Sequence, residues 1–322
     1  MEGIAWYVKQ FFLHPVVTFV VKIIIAITLL TALFLYIDLN EIARSLSHAN
    51  PLLLILGFIL VVANTGIHFV RWRFLLRLIS KGISNNDVIV SLFVGYASGF
   101  FTPAQVGEIA GRIASHPDLR KSHVVGMTII DKLYILALTI LTGIVALSLF
   151  ASLYFTEYWN TLYAVPILVL VGFLLYAFLF PQSMKFVFRV IPEKIRAHNL
   201  YAMLHIIETN FFNTHGRILF ALTTSLYICI VIQFFIFINA FEPVSFLDTT
   251  LCSLSVYFVK AVILPISIGD LGVRESASIF FFSKIGVSAA AAFNASMCMF
   301  LANVLLPSVA GALMVVRLKL QW

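Results

Sequence analysis

Two short stretches hold most of the side chains in this chain that could do chemistry. One runs Thr102-Pro103-Ala104-Gln105-Val106-Gly107-Glu108-Ile109-Ala110-Gly111-Arg112, the other Leu264-Pro265-Ile266-Ser267-Ile268-Gly269-Asp270-Leu271-Gly272-Val273-Arg274-Glu275. At an offset of 162 positions Pro103 falls on Pro265, Gln105 on Ser267, Gly107 on Gly269, Glu108 on Asp270, Ala110 on Gly272 and Arg112 on Arg274. In each copy an acid precedes an arginine by four residues, so on a helix the two share a face and can pair. Proline and glycine interrupt a helix, and each stretch would set the open amides and positive end of a new helix beside an arginine. That arrangement suits a phosphate, which a guanidinium can hold in two contacts. A plainer reading stands beside it: each acid and arginine serve only to neutralise one another in apolar surroundings.

Three further charges stand in apolar runs, Asp131, Lys132 and Lys260, and their mates at the same offset are Phe293, Asn294 and Ser98. The asymmetry fits either a directional polar path or an internal ion pair. No His-Glu-x-x-His, Gly-x-Ser-x-Gly or nucleotide loop is present, so the sequence suggests neither an enzyme nor a cofactor. Cys229, Cys252 and Cys298 stand singly and read as small core residues. The histidines lack zinc-ligand spacing, and no metal is expected.

The elements that must position these residues are hydrophobic. Of 322 residues, 61% are hydrophobic and 11% charged, which excludes a soluble globular domain and indicates an all-helical integral membrane protein. The formal charge of +7 then marks cytoplasmic loops and not a nucleic-acid surface, so no nucleic-acid partner is expected. Trp6, Tyr7, Phe11 and Phe12 beside Lys9 read as an interfacial anchor and not as a removable signal. Apolar spans are expected at 16–37, 52–70, 124–150, 161–180, 217–239 and 288–316. The first stretch breaks a region at 88–115 and the second a region at 246–284. Fourteen residues before the first break reach only about 21 Å against a hydrocarbon core of about 30 Å. Both regions therefore read as re-entrant helical hairpins.

Arg71-Trp72-Arg73 with Arg77 and Lys81, Lys185 to Arg196, and Arg317 with Lys319 place their loops and both termini in the cytoplasm. The aromatic turn 154–159 suits the outer face, and 193–214 reads as an amphipathic elbow on the inner surface. The whole is one transmembrane domain, residues 1–322, with about six full spans and two hairpins in two repeats, 16–150 and 161–316. The repeats run in opposite directions, an inverted-topology arrangement that points to a transporter with its site where the broken segments meet.

On Pro265 to Glu275, with Pro103, Gly107-Glu108 and the charged pair in the following span, the chain resembles the flippase-like membrane domain of lysylphosphatidylglycerol synthases in a stand-alone form. The resemblance covers nearly the whole chain. It implies a membrane domain that moves a phospholipid between leaflets; the separate lipid-making domain of those synthases is missing, so lysyl transfer is not implied. The chain departs from the family pattern twice. Gly111 stands where an arginine is common, and the family's Glu-Arg-x-x-Asp is Asp131-Lys132-Leu133-Tyr134-Ile135 here.

The reading is thus a lipid translocator of the cell inner membrane for an anionic or phosphate-bearing lipid. Its binding residues would be Pro103, Gln105, Gly107, Glu108, Arg112, Asp131, Lys132, Lys260, Pro265, Ser267, Gly269, Asp270, Gly272, Arg274 and Glu275. Its partners would be that lipid and the surrounding membrane lipids, with a homodimer left open. The alternative is a non-transporting partner of a membrane-bound glycosyltransferase or lipid-modifying enzyme. A weaker third option is an intramembrane enzyme using Glu108 and Asp270 as acid and base.

Overall fold

The computed structural model describes residues 37–100, 102, 105–155, 214–263 and 271–318, with isolated positions at 24, 27, 28, 31, 33–35 and 172. Most of the expected first span, the span at 161–180, the outer turn, the elbow, and Pro103, Pro265, Ser267, Gly269 and Asp270 lie outside them. The described elements are helical: α1 (Leu39–Ser47), α2 (Pro51–Ile79), α3 (Asn85–Phe100), α4 (Val106–Ala114), α5 (Lys121–Tyr154), α6 (Thr214–Phe241), α7 (Phe246–Val262), α8 (Val273–Lys284), α9 (Ala289–Phe300) and α10 (Leu306–Leu318), with a π turn Leu301–Leu305 joining the last two.

Four helical stretches, Pro51–Ile79, Lys121–Tyr154, His215–Phe241 and Ala289–Arg317, are long and apolar enough to cross a membrane. Their polarity is arranged for lipid. Leu52, Ile55, Ile59, Val62, Leu149, Leu153, Leu313 and Val316 lie exposed on the outside, while Arg71, Glu108, Arg112, Asp131, Gln233, Arg274 and Glu275 are buried within. A multi-pass membrane protein accounts for both. By contrast α3 and α7, of 16 and 17 residues, reach only about 24–26 Å, and α4 and α8 are shorter still.

Local sequence sets these ends. Asn50 accepts from the amides of Leu52 and Leu53, and Pro51 occupies the first helical position of α2, where no amide partner is needed. Before α3, Ser84 Oγ accepts the Asp87 amide at 3.2 Å and donates to its carboxylate at 2.8 Å. Before α7, Ser245 and Asp248 make the same two contacts at 3.1 and 2.7 Å. Pro307 cannot donate its amide within the last span, and the π turn immediately before it accommodates the missing bond.

Packing follows the same pairing. Helix α2 lies against α6, α3 against α10, α5 against α7, and α3 and α7 fold back on α4 and α8. Trp72, Leu75 and Leu76 of α2 are fully buried in one core, and Phe234, Phe237 and Ile238, each 162 positions later on α6, are fully buried in another. Two glycines bring the long helices close to the short ones. A Cβ on Gly311 would strike the Phe93 carbonyl of α3, and one on Gly143 would strike the Phe258 side chain of α7.

The helix from Pro51 runs nine residues past the expected end at 70. Arg71 and Trp72 are therefore not part of an aqueous, orientation-setting cluster; both are fully buried, whereas Arg77 and Lys81 are exposed. The reason is a buried partner on α5, described next.

Candidate functional site

The α3–α4 hairpin presents the first site. Gly95 and Gly99 leave room on α3 for the α4 side chains: a Cβ on Gly95 would stand 3.1 Å from carbons of both Glu108 and Arg112. Gln105, at the start of α4, is held left-handed with φ 55°, the only non-glycine residue with positive φ among those described. Its side chain is then placed to accept from Lys132 Nζ at 3.1 Å.

Five charged side chains meet here. Arg112 donates to Glu108 at 2.6 Å, four residues back on the same helix, as the spacing requires. It also reaches Asp131 of α5 with two nitrogens at 3.3 Å each. Arg71 of α2 takes the other Asp131 oxygen at 2.8 Å and the Asp131 carbonyl at 3.1 Å. Lys132 closes the group by pairing with the second oxygen of Glu108. The Arg112 guanidinium lies 3.9 Å from the ring centre of Trp72, whose indole nitrogen donates to Ser91 at 2.9 Å. Among the described residues three cations face two carboxylates, which leaves one net positive charge. Arg71 and Arg112 are sealed, but the Lys132 side chain is 39% exposed, so the surplus charge is presented there. In the turn after α4, burial holds the His116 imidazole below its ordinary range, against the pull of Asp87.

The second site is built on adjacent residues. Arg274 donates to Glu275, its chain neighbour, at 2.6 Å, and its Nε donates to Ser296 of α9 at 3.1 Å. The other Glu275 oxygen accepts the Gly272 amide at 2.7 Å, capping α8. Arg274 lies 5.5 Å from the ring centre of Phe300. Asp270, expected as its partner, is outside the described residues. The helix-start amides expected to be open for an anion are engaged where they can be followed: Gly107 N–H donates to Thr102 Oγ1 at 2.7 Å, and Gly272 N–H to Glu275.

Between the halves lies a cavity of about 520 Å³, large enough for a lipid headgroup. Its walls include Gln105, Glu108 and Lys132 from the first half and Lys260 and Arg274 from the second, so five expected residues do converge. Arg112, Asp131 and Glu275 lie behind the wall as supports; Gly107 and Gly272 shape the starts of α4 and α8. Among the described residues no group of His, Cys, Asp and Glu could hold a metal ion.

Sequence reasoning does not single out Arg71, Trp72, Asn64, Gln233, Ser296 and Asn303 for the site. Arg71 follows an apolar run and reads as an ordinary helix end. A signal is available in Asn64, Gln233 and Asn303, lone amides inside spans, which seldom stand in lipid without partners.

No curated protein and no solved structure matches the chain. Residues 19–311 match the family described as the lysylphosphatidylglycerol synthase TM region, almost the full length of the chain, and the protein belongs to that family.

Proposed function

We propose that the protein moves a phosphate-bearing, anionic lipid headgroup across the bilayer through the cavity between its two halves. The observation that carries this reading is the placement of Lys132: the one surplus positive charge of a buried network stands on the cavity wall, with Lys260 and Arg274 on the same cavity from the second half. A lysine ammonium has three donors, and a phosphate oxygen is a fitting acceptor. Family membership is in keeping with a lipid as the substrate.

The helix pairs support an inverted-topology repeat. At the 162 offset, α2 corresponds to α6, α3 to α7, α4 to α8 and α5 to the segment from α9 to α10. Exchanging the members of each pair turns α3 on α10 into α7 on α5 and leaves α2 on α6 unchanged, which is what a two-fold axis does. The short α3–α4 and α7–α8 pairs would then be hairpins entering from opposite leaflets. The chain would sit in the cell inner membrane with both termini cytoplasmic, since Arg77, Lys81 and Arg317 are exposed at helix ends on one side of this scheme.

Reconstitution tests the reading. Vesicles holding only this protein should exchange a labelled anionic phospholipid between leaflets faster than protein-free vesicles. Rates equal to those of protein-free vesicles, with the protein shown to be inserted, would favour the non-transporting partner instead.

A further inference from the structure

His68 of α2 has no part in the function proposed above. It is half-buried and lines the cavity between the halves, the one histidine among the described residues to do so. Tyr96 of α3 meets its ring edge-on, with ring centres 6.0 Å apart. Neither ring nitrogen has a hydrogen-bond partner among the described residues, and neither is sealed off. Of all side chains, an imidazole is the one whose ordinary charge change lies nearest neutral pH.

Four charged side chains face it: Arg71, three residues on along α2, Glu108 of α4, and Asp131 and Lys132 of α5. Lys260 and Arg274 stand on the same cavity from the second half. Both carboxylates are already engaged, Glu108 by Arg112 and Lys132, and Asp131 by Arg71 and Arg112. Among the described residues the network therefore holds no spare counter-charge for an imidazolium, and its surplus positive charge, on Lys132, lies on the same wall.

An anion seated at Lys132 changes that balance. It cancels the surplus charge and supplies the counter-ion that an imidazolium would need. Linkage is reciprocal, so a proton on His68 must strengthen anion binding by the same factor as the anion strengthens proton binding. We infer that the cavity loads a proton together with its anionic lipid, the proton on a nitrogen of His68. This rests on the transport cavity proposed above and names the ion coupled to it. The proton is taken from water on the side where the lipid enters and returned to water on the side where it leaves, with no covalent bond of the lipid made or broken. A pH gradient would then drive the lipid from the acidic towards the alkaline side.

Equilibrium binding in detergent tests the proton apart from transport. The probe is short-chain phosphatidylmethanol, whose phosphodiester keeps its single negative charge between about pH 5 and pH 8, the range in which an imidazole titrates. Its affinity for the purified full-length protein should rise as the pH falls through that range, by up to about tenfold per pH unit for one linked proton. In weak buffer, binding should also draw up to about one proton per lipid from solution. His68→Gln, a neutral side chain that still hydrogen-bonds, should flatten the profile and remove the uptake. Wild-type binding that is independent of pH and takes up no proton would overturn the inference, whether or not leaflet exchange occurs. Uptake that persists in His68→Gln would overturn it too, in favour of Glu108, from which the phosphate would have drawn Lys132. Proton-linked binding that depends on His68, without leaflet exchange in vesicles, would keep this inference and remove the transport reading.

Discussion

Arg112 and Arg274 occupy the same place in the two halves, 162 positions apart, and are held in different ways. Arg112 is tied across three helices, to Glu108 on α4, Asp131 on α5 and the Trp72 ring on α2. Arg274 is tied to its own neighbour Glu275 and to one serine on α9. Backbone symmetry thus coexists with charge asymmetry. The first half carries a shared network with a surplus cation at the cavity, and the second a pair of adjacent residues of which Glu275 also caps its own helix. Shared charges fix the mutual position of helices; the adjacent pair fixes the start of α8 and meets α9 through the neutral hydroxyl of Ser296.

The largest effect should follow from attacking the shared network. Asp131→Leu leaves both Arg71 and Arg112 without that carboxylate, and breaking a buried pair in this way typically costs about 3–5 kcal/mol. The variant should be poorly inserted or show a strongly lowered thermal midpoint in detergent. Adding Arg112→Met should not restore it, because Arg71 still lacks its partner.

The second half should behave otherwise. Glu275→Leu alone should be strongly destabilising, but combined with Arg274→Met it should recover to within about 1–2 kcal/mol of wild type, since replacing both members of a buried pair by apolar groups is often near neutral. The residue of the loss is the α8 cap at Gly272. Thermal unfolding of the single and double variants closes this cycle. Should Asp131→Leu be rescued as readily as Glu275→Leu, the contrast between shared and local pairing would be wrong.

A smaller effect is expected at the two helix contacts made by glycine. Gly311→Ala sets a methyl against the Phe93 carbonyl, and Gly143→Ala sets one against the Phe258 Cβ, which no rotation of that side chain moves. Overpacking of this kind costs about 1–3 kcal/mol, and both variants should show a lowered thermal midpoint.

Much of this fold is legible in the order of the residues. Hydropathy locates α2, α5, α6 and the α9–α10 segment because long apolar runs have little choice in lipid, and the offset between the proline stretches locates α4 and α8 to within a few residues. The pairing of Glu108 with Arg112 follows from helical spacing alone. What spacing cannot supply is contact between helices. Arg71 stands 60 positions from Asp131, and nothing local distinguishes a buried arginine at that point from one entering water. The role of Lys132 is likewise open in the sequence between path and ion pair, and the geometry shows the ion pair with Glu108, set on the cavity wall. The hydrogen bonds from Asn64 to Asn303, from Asn303 to Gln233 and from Gln233 to the Gly57 carbonyl join residues 70 to 239 positions apart, a relation visible only once α2, α6 and the π turn are packed.

The central claim is that the surplus charge at Lys132 receives the lipid phosphate. It is tested most directly by leaflet exchange of labelled phosphatidylglycerol in vesicles holding either wild type or Lys132→Gln at equal density. Lys132 is partly exposed, so the variant should keep a thermal midpoint close to wild type while exchange falls by about tenfold or more, a loss equivalent to one charge-assisted contact. Wild-type exchange rates in a well-folded, inserted Lys132→Gln protein would contradict the account.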